Sequence, residues 1–261
     1  MQATLGQVLE WTRQAAQIAL QMQSKDLEKH YKARSELVTE ADSAVENFLI
    51  ERIQAAFPHH SIIAEESGVR DNASEHKWFI DPIDGTVNYA HGLPLYGTSV
   101  AYAFQGELEL GVICFPGMQE DFWAERGQGA WRNGDKISVS ETARLSDSVL
   151  ATGFRKYAIG TANSNINNFA RFTREAQTIR RLGSATVNLA YVACGRMEGY
   201  WELELSPWDV AAGVLIVREA GGRVEGLYEK RDLLAGKTNL LAANPAVFPK
   251  MRAVLLEEKP E

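Results

Sequence analysis

The chain has 261 residues, 45% of them hydrophobic and 23% charged, which is enough to bury one large core or two closely packed halves and too apolar for a disordered chain. A formal net charge of −7, with no basic run interleaved with aromatics, argues against nucleic acid as substrate. No segment reads as a membrane span or a secretory signal, and Cys114 and Cys194 sit in apolar stretches as free thiols, so a cytoplasmic protein is expected.

In chain order, Leu5, Val8, Leu9, Thr12, Ala15, Ala16, Ala19 and Met22 fall at helical spacing and predict an amphipathic first helix. The basic stretch from Lys25 to Arg34 breaks that pattern. A second helix is expected from near Thr39, with Val45, Phe48, Leu49, Ile53 and Ala56 on one face and a stop before Pro58. Ser61–Ala64, Trp78–Ile80, Ser99–Phe104 and Leu108–Phe115 read as strands. From Phe122 to about Ile179 the pattern is less decisive: Gly-Gln and Asn-Gly pairs mark turns, and Thr161 to Asn168 reads as a polar loop or helix entry. A helix from about Ser184 to Cys194, a strand around Gly199 to Leu203 and a helix from Pro207 to Ala220 follow, the helices ending at Gly195 and Gly221-Gly222. The class is α/β. With no repeat or long linker, residues 1–261 form a single unit, and a division near residue 145 would leave two lobes of it, 1–145 and 146–261.

The most informative segment is WFIDPIDGT, Trp78 to Thr86, where an apolar strand delivers Asp81 and then Asp84. Pro82 lacks an amide hydrogen, so the chain is expected to turn there and place both acids in a strand-end loop. Gly85 permits close backbone approach to a ligand, and the amides of Gly85 and Thr86 can face an anion. Glu65-Glu66-Ser67-Gly68 closes another apolar run, and Trp208-Asp209 opens a helix. Oxygen-only ligands at three such ends suit a hard cation, magnesium or manganese. Zinc is disfavoured, because the five histidines show no metal-ligand spacing and His59-His60 has no acid partner.

Taken singly, each acid also has a structural reading. Ser206-Pro207-Trp208-Asp209 fits a capping box, as does Thr39-Glu40-Ala41-Asp42; Asp84-Gly85 is a common turn, and Glu65-Glu66 fits a solvated loop. What joins them is a family pattern. Trp78 to Pro94, WFIDPIDGTVNYAHGLP, resembles the inositol monophosphatase family, as do Leu37-Val38-Thr39-Glu40-Ala41-Asp42, Ala64-Glu65-Glu66-Ser67, Gly183-Ser184-Ala185 and Pro207-Trp208-Asp209-Val210-Ala211-Ala212-Gly213, in the family's order.

The resemblance implies a layered α/β/α/β/α sandwich, a homodimer, and lithium-sensitive, magnesium-dependent hydrolysis of a small phosphorylated polyol or sugar, inositol 1-phosphate first. It implies that Glu65, Asp81, the Ile83 carbonyl, Asp84 and Asp209 are metal ligands, that Gly85 and Thr86 cradle phosphate, and that Asp42 and Thr86 orient the metal-activated water. Gly183, Ser184, Ala185 and Glu202 would face the alcohol part of the substrate, with Arg181 assisting. The family's usual lysine before the Thr39 motif has three competitors here, Tyr31, Lys32 and Arg34.

Physical logic agrees with a metal cage, since a phosphate dianion cannot approach four carboxylates without cations between them. The spacing DxxDGT places Asp81 and Asp84 out of register with the DxDGT motif of phosphatases that form an aspartyl-phosphate. Fructose-1,6-bisphosphatase and nucleotide 3',5'-bisphosphate phosphatase are the alternatives within the superfamily. In another class, a binding protein assisting a transcription complex is the alternative, because bacterial members of the family play that part. The segment Gly68 to Lys77, with Asp71-Asn72-Ala73-Ser74, has a composition compatible with mobility, and whether it closes over the site is not legible in the sequence.

Overall fold

The computed structural model describes residues 3–23, 29–33, 36–154, 160, 164–228 and 232–256, and of 29–33 and 36–39 the backbone only. Lys25–Glu28, Arg34 and Thr161–Asn163, named above, lie outside the described residues, and the side chains of Tyr31, Lys32 and Thr39 are likewise not described.

Helix α1 (Leu5–Gln23) buries Val8, Thr12, Ala15, Ala16 and Ala19, the stripe expected from its spacing. After a hairpin of β1 (Lys29–Ala33) and β2 (Glu36–Thr39), α2 (Glu40–Ala56) packs beside α1, and Phe57-Pro58 ends it. An eight-stranded sheet follows, built from β3 (Ser61–Ala64), β4 (Gly68–Arg70), β5 (His76–Asp84), β6 (Gly97–Phe104), β7 (Glu107–Phe115), β8 (Glu120–Glu125), β9 (Gly129–Arg132) and β10 (Asp135–Ile137) in the order β10-β9-β8-β7-β6-β5-β3-β4. The short helix α3 (Thr86–Ala90) leaves the end of β5. A five-stranded sheet contains β11 (Val149–Thr152), β12 (Thr178–Arg180), β13 (Gly199–Leu205), β14 (Arg223–Gly226) and β15 (Thr238–Ala243), in the order β12-β11-β13-β15-β14. Helices α4 (Ile166–Glu175), α5 (Ala185–Ala193), α6 (Pro207–Glu219) and α7 (Phe248–Leu256) complete the described chain.

The alternation of side chains along the strands dictates five layers. Trp78, Ile80, Val100, Tyr102, Val112 and Cys114 face α1 and α2, whereas Phe79, Ala101, Ala103, Ile113 and Phe115 face a central core with α5 and α6. Tyr200, Leu240 and Ala242 of the second sheet face that same central core, and Trp201, Leu203, Leu241 and Ala243 face Phe172 of α4 and Phe248, Met251 and Leu255 of α7. The order is therefore α1/α2, sheet, α5/α6, sheet, α4/α7, the expected layered α/β/α/β/α sandwich. Helices α5 and α6 are apolar on nearly every side, as helices between two sheets must be.

One expectation is corrected. The chain does not leave the ladder at Pro82: β5 continues to Asp84, and Asp81 pairs with Ser99 while Asp84 pairs with Gly97, so one extra residue bulges out between them. Thr98 Oγ1 donates to the Pro82 carbonyl at 2.8 Å, so the bulge accommodates the missing amide within the sheet. The segment Gly68 to Lys77 is tied to β3. Its first residues form β4, and Asn72 N donates to Ser61 Oγ (3.0 Å) and Asn72 Nδ2 to the His60 carbonyl (2.8 Å), which fastens it at the start of β3, the end opposite Glu65.

Candidate active site

Parallel pairing explains why acids distant in sequence meet. Strands β3 and β5 run parallel with Ala64 opposite Ile80, so the next residues, Glu65 and Asp81, emerge side by side, and the Glu65 amide donates to the Ile80 carbonyl at 3.2 Å. In the second sheet β12, β11 and β13 are also parallel, with Ala151 opposite both Arg180 and Tyr200, and their ends deliver Arg181, Gly153 and Glu202. Between the two sheets the N-termini of α5 and α6 present Ser184, Ala185 and Asp209. All of these, with Ile83, Asp84, Gly85, Thr86, Gly183, Phe154 and Leu205, line one cleft of about 210 Å³.

Asp84 joins the two halves. Its Oδ2 accepts from Ser184 Oγ (2.5 Å), Thr186 N (2.6 Å) and Thr186 Oγ1 (2.6 Å), so an acid on the first sheet caps the helix that leads from the second. Burial raises the Asp84 carboxyl above its ordinary value while the Ser184 and Thr186 donors oppose that rise. Asp209 fulfils its structural reading as well, accepting from the Ser206 amide at 2.7 Å while it lines the cleft. Gly85 has φ +93°, and a Cβ there would stand 2.9 Å from the Leu95 carbonyl oxygen, so only glycine fits this corner. Thr86 Oγ1 donates to the Ile83 carbonyl at 3.1 Å.

Asp42 is not among the residues lining the cleft. It is buried in the first turn of α2, and its charge contributes, after burial and Tyr96, to raising the Tyr89 phenol on α3. Arg181 is exposed at the mouth, its guanidinium 5.9 Å from the centre of the Phe154 ring, and is the single cation among the described residues lining the cleft.

The donor set fits a hard divalent cation. Asp81 is buried, its Oδ1 has no hydrogen-bond partner among the described residues, and burial followed by the charges of Glu65, Asp84 and Asp209 pushes its carboxyl well above the usual carboxylate range. Such a cluster is stable as anions only with positive charge brought among them. Among the described residues no three acidic, histidine or cysteine side chains are gathered closely enough to hold an ion unaided. The carbonyl of Ile83 and water would fill the remaining places, which suits magnesium, an ion that keeps several waters.

Sequence reasoning missed several supports. Glu46, on α2, accepts from Glu66 N and Ser67 N at 2.8 Å each and fixes the turn that carries Glu65. Thr186 binds Asp84, and Tyr200 donates to Glu202 Oε2 at 2.6 Å. Only Glu46 left a signal, as an acid four residues after Asp42 on the apolar side of a helix.

The inositol monophosphatase family model matches residues 2–260. The chain is 40% identical over 234 residues to the Nus factor SuhB of Escherichia coli (strain K12), covering 89% of this chain and 87% of that protein. It is 41% identical over 221 residues to the inositol-1-monophosphatase of Synechocystis sp., covering 84% and 77%. The structure of inositol monophosphatase from Anabaena superposes with a TM-score of 0.87 at 37% identity, over 98% of this chain and 96% of that one. Acids delivered by parallel strand ends, a five-layer sandwich and a match along almost the whole length lead to one conclusion: the chain belongs to the inositol monophosphatase family.

Proposed function

We propose that the chain is a magnesium-dependent phosphatase of a small phosphorylated polyol, with inositol 1-phosphate as its leading substrate. The observation that carries this reading is the convergence of Glu65, Asp81, Asp84 and Asp209 in one cleft that Ser184 and Glu202 also line. Glu65, Asp81, the Ile83 carbonyl, Asp84 and Asp209 would hold the metal, with manganese as a substitute. When bound, the metal supplies a water of lowered pKa and neutralises phosphoryl oxygens.

The chain's own residues do the rest. The Gly85 and Thr86 amides receive phosphate oxygens at the bulged end of β5, Thr86 and Asp42 orient the attacking water, and Glu202 accepts a hydrogen bond from a substrate hydroxyl. Gly183, Ser184 and Ala185 shape the alcohol side, and Arg181 at the mouth offsets the excess of negative charge on the approaching ester. We place the active protein as a homodimer in the cytoplasm, sensitive to lithium.

The test is phosphate release by purified protein from inositol 1-phosphate, fructose 1,6-bisphosphate and adenosine 3',5'-bisphosphate, with and without magnesium, beside Asp84→Asn. Magnesium-dependent release, fastest from inositol phosphate and lost in the variant, is expected; no release from any ester would refute the enzymatic reading. A second reading, a binding protein of a transcription complex, draws on the 40% identical Escherichia coli relative being a Nus factor. It predicts capture of transcription proteins that survives Asp84→Asn.

A further inference from the structure

We propose that Tyr200 is a positioning residue that sets the preference for hydroxyl-bearing esters, by holding the Glu202 carboxylate against the bare face of Gly153. This rests on the polyol-phosphate reading of the cleft. Tyr200 is fully buried and is not among the described residues that line the cleft; it bears on a substrate through Glu202, whose Oε2 accepts a hydrogen bond from its hydroxyl at 2.6 Å. Burial, and after it the Glu202 charge, keeps this phenol protonated far above its ordinary range, so it is a permanent donor.

The second support is steric. Strands β11 and β13 pair in parallel with Thr152 opposite Trp201, which brings the next residues, Gly153 and Glu202, face to face. A Cβ on Gly153 would stand 2.1 Å from the Glu202 Cδ and both carboxylate oxygens, so the carboxyl group occupies the space a side chain would need. The backbone at Gly153 is not in the left-handed region, and the requirement is for room alone. Asn165 locks the pair: its Nδ2 donates to the Gly153 carbonyl (2.8 Å) and its Oδ1 accepts from Trp201 Nε1 (2.7 Å). Past Glu202 the strand bulges, with Glu204 at φ +61°, so the carboxylate sits at the last regular position before the backbone turns toward α6. The phenol on one side and the glycine face on the other restrict the carboxylate's range.

The test compares kcat/KM for inositol 1-phosphate with kcat/KM for phenyl phosphate, an ester with no hydroxyl for Glu202 to recognise. In Tyr200→Phe the ratio of the two falls about tenfold, chiefly through KM for inositol 1-phosphate, as loss of one charge-assisted hydrogen bond implies. Gly153→Ala, which keeps the tyrosine and pushes the carboxylate aside, lowers the ratio further and decides the matter if Tyr200→Phe fails to fold. An equal fall for both esters, the mark of a merely structural role, or a ratio within twofold of wild type would overturn the assignment while leaving the phosphatase reading intact. Release from neither ester by the wild type would overturn that reading and this one with it.

Discussion

Glu46→Ala tests whether the turn bearing Glu65 is held from behind by α2. The Glu46 side chain is 2% exposed, and its two oxygens accept from Glu66 N and Ser67 N at 2.8 Å each. A hydrogen bond to a charged acceptor contributes about 1.5–3 kcal/mol. The two amides are only partly buried and water can reach them after truncation, so the lower end applies and the pair sums to about 3 kcal/mol. With a urea slope of roughly 3 kcal/mol/M, the unfolding midpoint moves down by about 1 M. Hydrogen exchange gives the local signature: the Glu66 and Ser67 amides lose protection while those of β7 keep theirs. A midpoint within 0.2 M (about 0.6 kcal/mol) of wild type, with both amides still protected, would refute the reasoning.

Further outcomes follow from other contacts. Thr186→Val removes one hydroxyl donor from Asp84 and keeps the backbone donor, and phosphate release is expected to fall about tenfold with no change in far-UV circular dichroism. Gly111→Ala drives a Cβ to 2.8 Å from the Ala212 carbonyl oxygen and 3.0 Å from its Cα, backbone atoms that no rotamer change can move. Such overpacking costs about 2–3 kcal/mol, a drop in Tm of about 5–10 °C by calorimetry. His60 accepts from Trp78 Nε1 and stacks between Phe57 and His76; burial, then the His76 charge, lowers its pKa to about 4. The unfolded value is near 6.5. The native state therefore binds fewer protons in that range, and this contribution is complete above about pH 6.5 and lost as pH falls toward 4. His60→Phe should show a shallower loss of urea midpoint between pH 7 and pH 4.5 than wild type; equal slopes would count against a neutral His60.

The elements that carry the cleft's acids were legible in the sequence, for reasons that are local. Pro58 stops α2, Ser206-Pro207 starts α6, and the apolar runs before Glu65 and Asp81 declare strands, because each signal acts within a few residues. The acids could be nominated because carboxylates beside glycine and proline at strand ends have few structural uses together. The indecisive stretch from Phe122 to Ile179 proved to hold strands of only three to six residues and the largely polar α4, too short or too polar to show a clear period. The bulge at Pro82-Ile83 could not be inferred, since whether a proline ends a strand or is absorbed by it depends on the partner, here Thr98.

The class of fold, the acids that line the cleft and the family were all legible in the sequence, since they follow from local patterning and from motifs in fixed order. Which groups steady those acids was set by packing between distant segments. Parallel register set Glu65 beside Asp81 and Gly153 beside Glu202, and the packing of α5 between two sheets closed Thr186 onto Asp84 across 102 positions of chain. A hydrogen bond between residues so far apart leaves no periodic trace in the sequence, because its donor and acceptor meet only after the sheets have paired and the layers have packed.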